Sequence, residues 1–160
     1  MERITIACVG KIKEKYLRDA VAEYAKRLGR YCRLEFREAA DEPTREGASA
    51  REEETVKRTE GERLLAAIPP DAYVIALDLG GEMLDSVEFA QKIQALASSG
   101  RSRIVFVIGG SLGLSEAVLS RADYRLCFSP MTFPHQLMRV ILSEQIYRAF
   151  RILRNEPYHK

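Results

Sequence analysis

The sequence predicts a single α/β domain built on a parallel sheet, with helices on both faces. Short apolar runs rich in β-branched residues alternate with helical patterns through the second half of the chain. The most apolar of them, Ile104-Val-Phe-Val-Ile108, shows no polar alternation, as expected of a strand covered on both faces. The length, 160 residues, suits one domain spanning residues 1–160, and 46% hydrophobic against 30% charged residues is a globular balance.

Each element has its own signal. Ile4-Thr-Ile-Ala-Cys-Val-Gly10 reads as a buried strand that stops at a glycine. Leu17, Ala20, Val21, Tyr24, Ala25 and Leu28 then recur at helical spacing, with Gly29 at the expected stop. Cys32 to Ala39 alternates and predicts a strand with one wetter face. Residues 40–49 form a polar loop. Ser49 with Glu52 three residues on forms a capping box that opens a helix to about Ile68, before Pro69-Pro70. After it come a strand over Tyr73–Leu79, a helix over Ser86–Ala97, the strand at Ile104–Ile108 and a short helix over Ser115–Ala122. A fifth strand over Tyr124–Phe128 and a long helix from His135 to about Asn155 complete the pattern.

Charge and cysteine usage narrow the function. The net charge is only +2, but it is unevenly spread. Residues 1–31 carry eight basic and four acidic groups, residues 135–160 five and two, and residues 32–100 eight and fifteen. Basic ends around an acidic middle suit a polyanion bound where the ends meet, or simply solvated helix faces. Lys11, Lys13 and Lys15 after the first strand admit both readings. Cys8, Cys32 and Cys127 are odd in number and far apart, the usage of a reducing cytosol, and two histidines do not make a metal site. No leader and no membrane-length apolar run is present, so a cytoplasmic protein is expected.

In open α/β sheets ligands bind beyond the carboxyl ends of the strands. Three strands here end in loops rich in Gly, Pro and small polar residues: Asp78-Leu-Gly-Gly-Glu82, Gly109-Gly-Ser-Leu-Gly-Leu-Ser115 and Ser129-Pro-Met-Thr-Phe-Pro-His135. The middle loop is G-G-x-x-G, not the dinucleotide G-x-G-x-x-G, and it lacks the lysine of a phosphate-binding P-loop. No nucleophile elbow is present. The last helix is apolar around nearly its whole circumference, which predicts burial on more than one side, against a second copy or inside its own core. Arg148, Arg151 and Arg154 form a basic stripe, part of which Glu144 can neutralise at i,i+4.

Taken together, Phe106-Val-Ile-Gly-Gly-Ser-Leu-Gly-Leu-Ser115, Phe128-Ser-Pro-Met-Thr-Phe-Pro-His-Gln-Leu-Met-Arg139, Glu144-Gln-Ile-Tyr-Arg-Ala149 and Pro157-Tyr-His-Lys160 resemble the ribosomal RNA large subunit methyltransferase H family. The opening Ile4–Lys15 fits as well, and the resemblance runs the length of the chain. It implies a SPOUT fold with a C-terminal trefoil knot, a homodimer, S-adenosylmethionine as methyl donor, no metal, and N3 of a pseudouridine in 23S ribosomal RNA of the assembled ribosome as acceptor. By motif position it assigns donor binding to Leu77, Gly109, Phe128, Ser129, Pro130, Met131, Thr132 and Phe133.

An imide N–H is a poor nucleophile until its proton leaves, so a base or a stabilising cation is expected at the acceptor. Tyr158 and His159 are the candidates, His159 as proton acceptor or as a positioning group, with Arg139 beside them. Arg148, Arg151, Arg154 and Lys160 are candidates for RNA phosphates. His135 is expected to shape the cofactor loop. The residues alone leave room for a knotted methyltransferase acting on another RNA such as transfer RNA, for a non-enzymatic ribosome-assembly factor, and for a small nucleotide-binding module.

Overall fold

A computed structural model describes all 160 residues. The elements run β1 (Glu2–Val9), α1 (Lys15–Leu28), β2 (Cys32–Ala39), α2 (Ala50–Ala66), β3 (Tyr73–Met83), α3 (Ser86–Ser98), β4 (Arg103–Ile108), α4 (Glu116–Arg121), β5 (Tyr124–Cys127) and α5 (His135–Leu153). Every strand pairing is parallel, in the order β2-β1-β4-β3-β5.

Period-two alternation feeds two cores. Ile4, Ile6, Cys8, Ile104, Phe106 and Ile108 pack with residues of α3 and α5, whereas Ala7, Val9, Val105 and Val107 pack with Leu64 of α2 and Val118 of α4. The sheet is thus covered on both faces, as the unbroken apolar strands require. The edge strand β2 alternates between buried and exposed positions, which is its wetter face.

Local rules set the helix starts. Ser49 and Glu52 form the reciprocal cap of α2, and Asp85 with Glu88 does the same for α3. α5 ends differently. Asn155 takes a left-handed φ of 54°, Glu156 N–H donates to Arg151 C=O at 2.9 Å and Asn155 N–H to Ile152 C=O at 3.1 Å. This Schellman turn folds the last residues back along the helix.

The third strand departs from the expected Tyr73–Leu79. It continues to Met83, with Leu77 and Glu82 both opposite Leu126 of β5, so residues 78–81 bulge out of the ladder. A Cβ on Gly81 would lie 2.6 Å from the Arg125 carbonyl carbon, so only glycine permits this approach. All three cysteines are buried and free. Burial pushes the Cys8 thiol up to about 11 and that of Cys32 to about 12, so both stay protonated.

Candidate active site

Leu77, Asp78 and Leu79 at the β3 bulge and the loops after β4 and β5 border a cleft of about 950 Å³. Its wall includes Leu77, Gly109, Phe128, Ser129, Met131, Thr132 and Phe133, while Pro130 holds the same turn without facing the cleft. Ile108, Leu126 and Met138 add apolar surface. The volume is at the upper end for small-molecule sites.

The loop after β4 is folded tightly on itself. Gly113 N–H donates to Gly110 C=O at 3.0 Å, with Gly113 at φ +88°. A Cβ on Gly109 would sit 2.8 Å from the Gly113 carbonyl carbon, and one on Gly110 would sit 3.0 Å from the Glu60 carboxylate. The G-G-x-x-G spacing is therefore a packing requirement that brings bare backbone to the cleft. In the loop after β5, the Ser129 hydroxyl accepts the Met131 N–H at 3.0 Å and fixes the turn.

Glu54, Asp78 and Glu116 also line the cleft, against Lys57 alone among cations. His135 is on the wall as well. Its pKa lies below the usual 6.5 because of burial and then the neighbouring Arg139, so the ring is neutral at pH 7. Asp78 lies in a segment the sequence singled out, but Glu54 and Glu116 were missed, Glu54 because it lies in a charged helix start that looks merely solvated. Only its long-range position reveals it.

Arg139 does not face a substrate. It is 1% exposed, donating to the Val9 and Gly10 carbonyls at 2.8 Å each and to Glu38 at 2.8 Å, with Nε left unpaired. It bolts the start of α5 to the ends of β1 and β2, which corrects its expected role beside the acceptor: it positions the helix from which the cleft is built.

Tyr158 and His159 come together, but elsewhere. The Tyr158 hydroxyl donates to Glu144 at 2.7 Å, its ring packs edge-on against Tyr147 at 4.9 Å, and the Arg148 guanidinium lies 4.8 Å over its face. Burial and the adjacent Glu144 raise the Tyr158 pKa, so the phenol stays protonated. Arg148 also bonds Glu144 at 2.9 Å and reaches His159 Nδ1 at 3.1 Å. An arginine donates only, so Nδ1 accepts in this contact and Nε2 is the nitrogen that carries the hydrogen. His159 in this arrangement presents an N–H, not the lone pair of a proton acceptor.

Arg151 is likewise spent on the tail, through Glu156 at 2.8 Å, the Pro157 carbonyl at 2.8 Å and the Tyr31 hydroxyl at 3.2 Å. Of the expected RNA-binding residues, Arg154 and Lys160 remain exposed. Arg148 is half-buried in its ion pair with Glu144, the neutralisation anticipated from their spacing. No residue of the tail lines the cleft. Arg148 lies thirteen residues along α5 from His135, about 20 Å of helix rise.

Fold and cleft define an α/β protein with a cavity of small-ligand size at the carboxyl edge of its sheet, lined by backbone-rich loops and apolar side chains. Comparison with known proteins makes the class specific. The family description "Predicted SPOUT methyltransferase" matches residues 2–159, and the chain belongs to the SPOUT methyltransferase family. It is similar to proteins named "Ribosomal RNA large subunit methyltransferase H" from Clostridium beijerinckii and Alkaliphilus oremlandii, each 60% identical over 98% of this chain and 99% of theirs. Among solved structures, a probable methyltransferase from Bordetella pertussis aligns with a TM-score of 0.55 at 16% identity, covering 92% of this chain and 96% of that one. A probable methylase family protein from Haemophilus influenzae gives 0.54 at 16% identity, over 98% of this chain and 70% of that one. These two likenesses show the fold alone.

Proposed function

We propose that this methyltransferase transfers the methyl group of S-adenosylmethionine to N3 of a pseudouridine in 23S ribosomal RNA of the large subunit or assembled ribosome. The observation that carries the reading is the cleft. It is built from backbone-rich loops and apolar side chains, and its charged lining is Glu116, the Glu54–Lys57 pair, and Asp78 with Arg125 4.0 Å away, so no free cation faces it. Such a lining repels a nucleotide phosphate and favours a donor that carries a sulfonium and no phosphate. Gly109 and Gly113 pack backbone on backbone, which keeps the loop that lines the cleft compact. The names of the relatives supply the acceptor class.

Leu77, Phe128 and Met131 would hold the adenine in an apolar slot, and the backbone at Gly109 and around Ser129 to Phe133 would bond its edge and the ribose. The bound donor supplies an electrophilic methyl group on a positively charged sulfur. What this chain does is align the acceptor in line and exclude water. His159 Nε2–H and Arg148 are suited to stabilise the anionic ring formed when the imide proton leaves.

The tail must then meet the cleft, and α5 holds it about 20 Å away within one chain. A second copy supplies the missing partner. Leu79 and Met131 are exposed apolar side chains on the wall of the cleft, and Met83 and Val87 are exposed as well, surface suited to cover by that copy. Leu137, Val140 and Ile141 lie half-exposed on the helix face that continues to Glu144 and Arg148. The reading is therefore a homodimer in which each active site takes a cleft from one protomer and a tail from its partner, with the C-terminal half threaded as in the family's trefoil knot.

Calorimetry with S-adenosylmethionine, ATP and NAD tests the donor: binding of the first alone is expected, and tight binding of either nucleotide instead would overturn the assignment. Mass spectrometry of ribosomal RNA nucleosides from cells lacking and regaining the protein tests the acceptor. An N3-methylpseudouridine that disappears and returns is expected, and an unchanged nucleoside profile contradicts it.

A further inference from the structure

We infer that a crevice at the opposite end of the sheet is a second, sequence-independent docking site for ribosomal RNA phosphates, an inference that rests on the ribosome being the substrate. The crevice, about 410 Å³, opens at the amino ends of β1, β2 and β4. Its walls carry Arg3, Arg33, Arg37 and Arg103, with Thr5 and Glu35 between them.

The register makes the arrangement unusual. Arg3 lies directly beside Arg33 on one side and directly beside Arg103 on the other, so three arginines form one row across three neighbouring strands. Like charges in opposed positions destabilise a sheet. Little in the chain offsets them. Arg103 reaches Asp71 at 3.3 Å, and Arg37 bonds Glu35 at 2.7 Å and the Ala67 carbonyl at 2.7 Å. Arg3 and Arg33 are exposed, and neither has a carboxylate partner.

A row of three guanidinium groups about two strand spacings wide, roughly 10 Å, with only Arg103 partnered, suits a run of phosphates, which arginine forks bind bidentately. The crevice has no aromatic side chain on which a base could stack. It therefore fits the backbone of a paired RNA segment rather than an unstacked base. On β4 the row at Arg103 lies five to six residues before the cleft wall at Ile108 and Gly109, about 17–20 Å along the strand, so it acts as a foothold on the ribosome and not as part of the methyl-transfer site.

The test is the double variant R3Q/R33Q in the full-length dimer, with R3K/R33K as the charge-conserving control. Both side chains are exposed, and removing opposed like charges is expected to leave the melting temperature equal to or above that of the wild type. With large ribosomal subunits as substrate, KM is expected to rise about tenfold at unchanged kcat, and the dependence of log affinity on log salt to flatten by about two. Affinity for S-adenosylmethionine stays the same, and the lysine control recovers most of the loss.

An unchanged KM and salt slope would overturn the inference while leaving the methylation reading intact. If the wild type fails to methylate ribosomes, that reading falls instead. The crevice is then judged by filter binding to an unrelated RNA duplex, where the glutamine variant must bind more weakly than the wild type for the inference to survive. A variant that loses affinity for subunits yet binds protein-free 23S RNA and the duplex like the wild type would point to an acidic ribosomal protein, and would also overturn it.

Discussion

The donor cleft and the tail clamp are the two chemically interesting regions of this chain, and they are built in opposite ways. The cleft uses almost no side-chain chemistry. Its shape comes from glycines that let backbone fold on backbone, as where Gly109 meets Gly113, and from a bulge at residues 78–81 that leaves the ladder beside Gly81. The clamp is nearly all side chain: Glu144, Arg148, Tyr158 and His159 in one chain of polar contacts, with Arg151 and Glu156 tying down the turn before it. The first arrangement suits recognition of a neutral-edged adenosyl donor. The second suits control of a proton and a developing negative charge. Because α5 separates them, the proposed reaction needs both regions brought together, and each can be damaged without the other.

The strongest contrast comes from removing the tail. Deletion of Tyr158–Lys160 is expected to cut methylation by at least about a hundredfold, the range of a lost acid–base or anion-stabilising group, with donor affinity in calorimetry nearly unchanged. Full activity after the deletion would remove the tail from the mechanism. Gly109→Ala attacks the other region. Its Cβ meets fixed backbone at 2.8 Å, so the loop must move. Donor affinity is expected to fall at least tenfold, and stability by about 1–3 kcal/mol as for other overpacked sites, measured by calorimetry and urea unfolding.

Arg139→Met probes the bolt beneath α5. Losing the Glu38 pair and two carbonyl partners is expected to cost about 3 kcal/mol, at the lower end for a broken buried pair because Glu38 is half-exposed. Urea unfolding measures this, and a variant as stable as the wild type would contradict the structural role. The mildest effect is that of His135. Its folded pKa is depressed, so the unfolded chain binds the proton first, and stability is expected to decline as pH falls below about 6.5. His135→Gln should flatten that decline in melting temperature between pH 7 and 5, and a parallel decline would assign it to other groups.

Much of the fold was legible in the sequence because its signals are local. Strand and helix periods, the Ser49–Glu52 cap and the glycine stops each depend on a few neighbouring residues. The strand order β2-β1-β4-β3-β5 was not, since it arises from pairings between distant segments. The extension of β3 was missed for the same reason: Asp78-Leu-Gly-Gly reads as a loop until β5 is laid beside it. Within the site, the motif residues fell on the cleft because loops after parallel strands converge. Arg139 was misread because a helix-borne arginine looks solvated unless the carbonyls of Val9 and Gly10 are known to face it. The distance of His159 from the cleft was hidden too, because the sequence gives the length of α5 but not the path of the residues after it. Asn155 was a readable signal, an asparagine at a helix end suited to the left-handed turn that sends the tail back.

The central claim, that each active site joins the cleft of one protomer to the tail of its partner, is tested most directly by mixing two impaired variants at a donor concentration low enough to leave the Gly109→Ala cleft nearly empty. Gly109→Ala has a damaged cleft and an intact tail, and the Tyr158–Lys160 deletion has the reverse. After co-expression or subunit exchange, random pairing makes about half the dimers mixed, each with one complete site, so about a quarter of wild-type methylation of large ribosomal subunits is expected to return. Mixed dimers that form, as shown by differential tagging, yet stay as inactive as either parent would contradict the account.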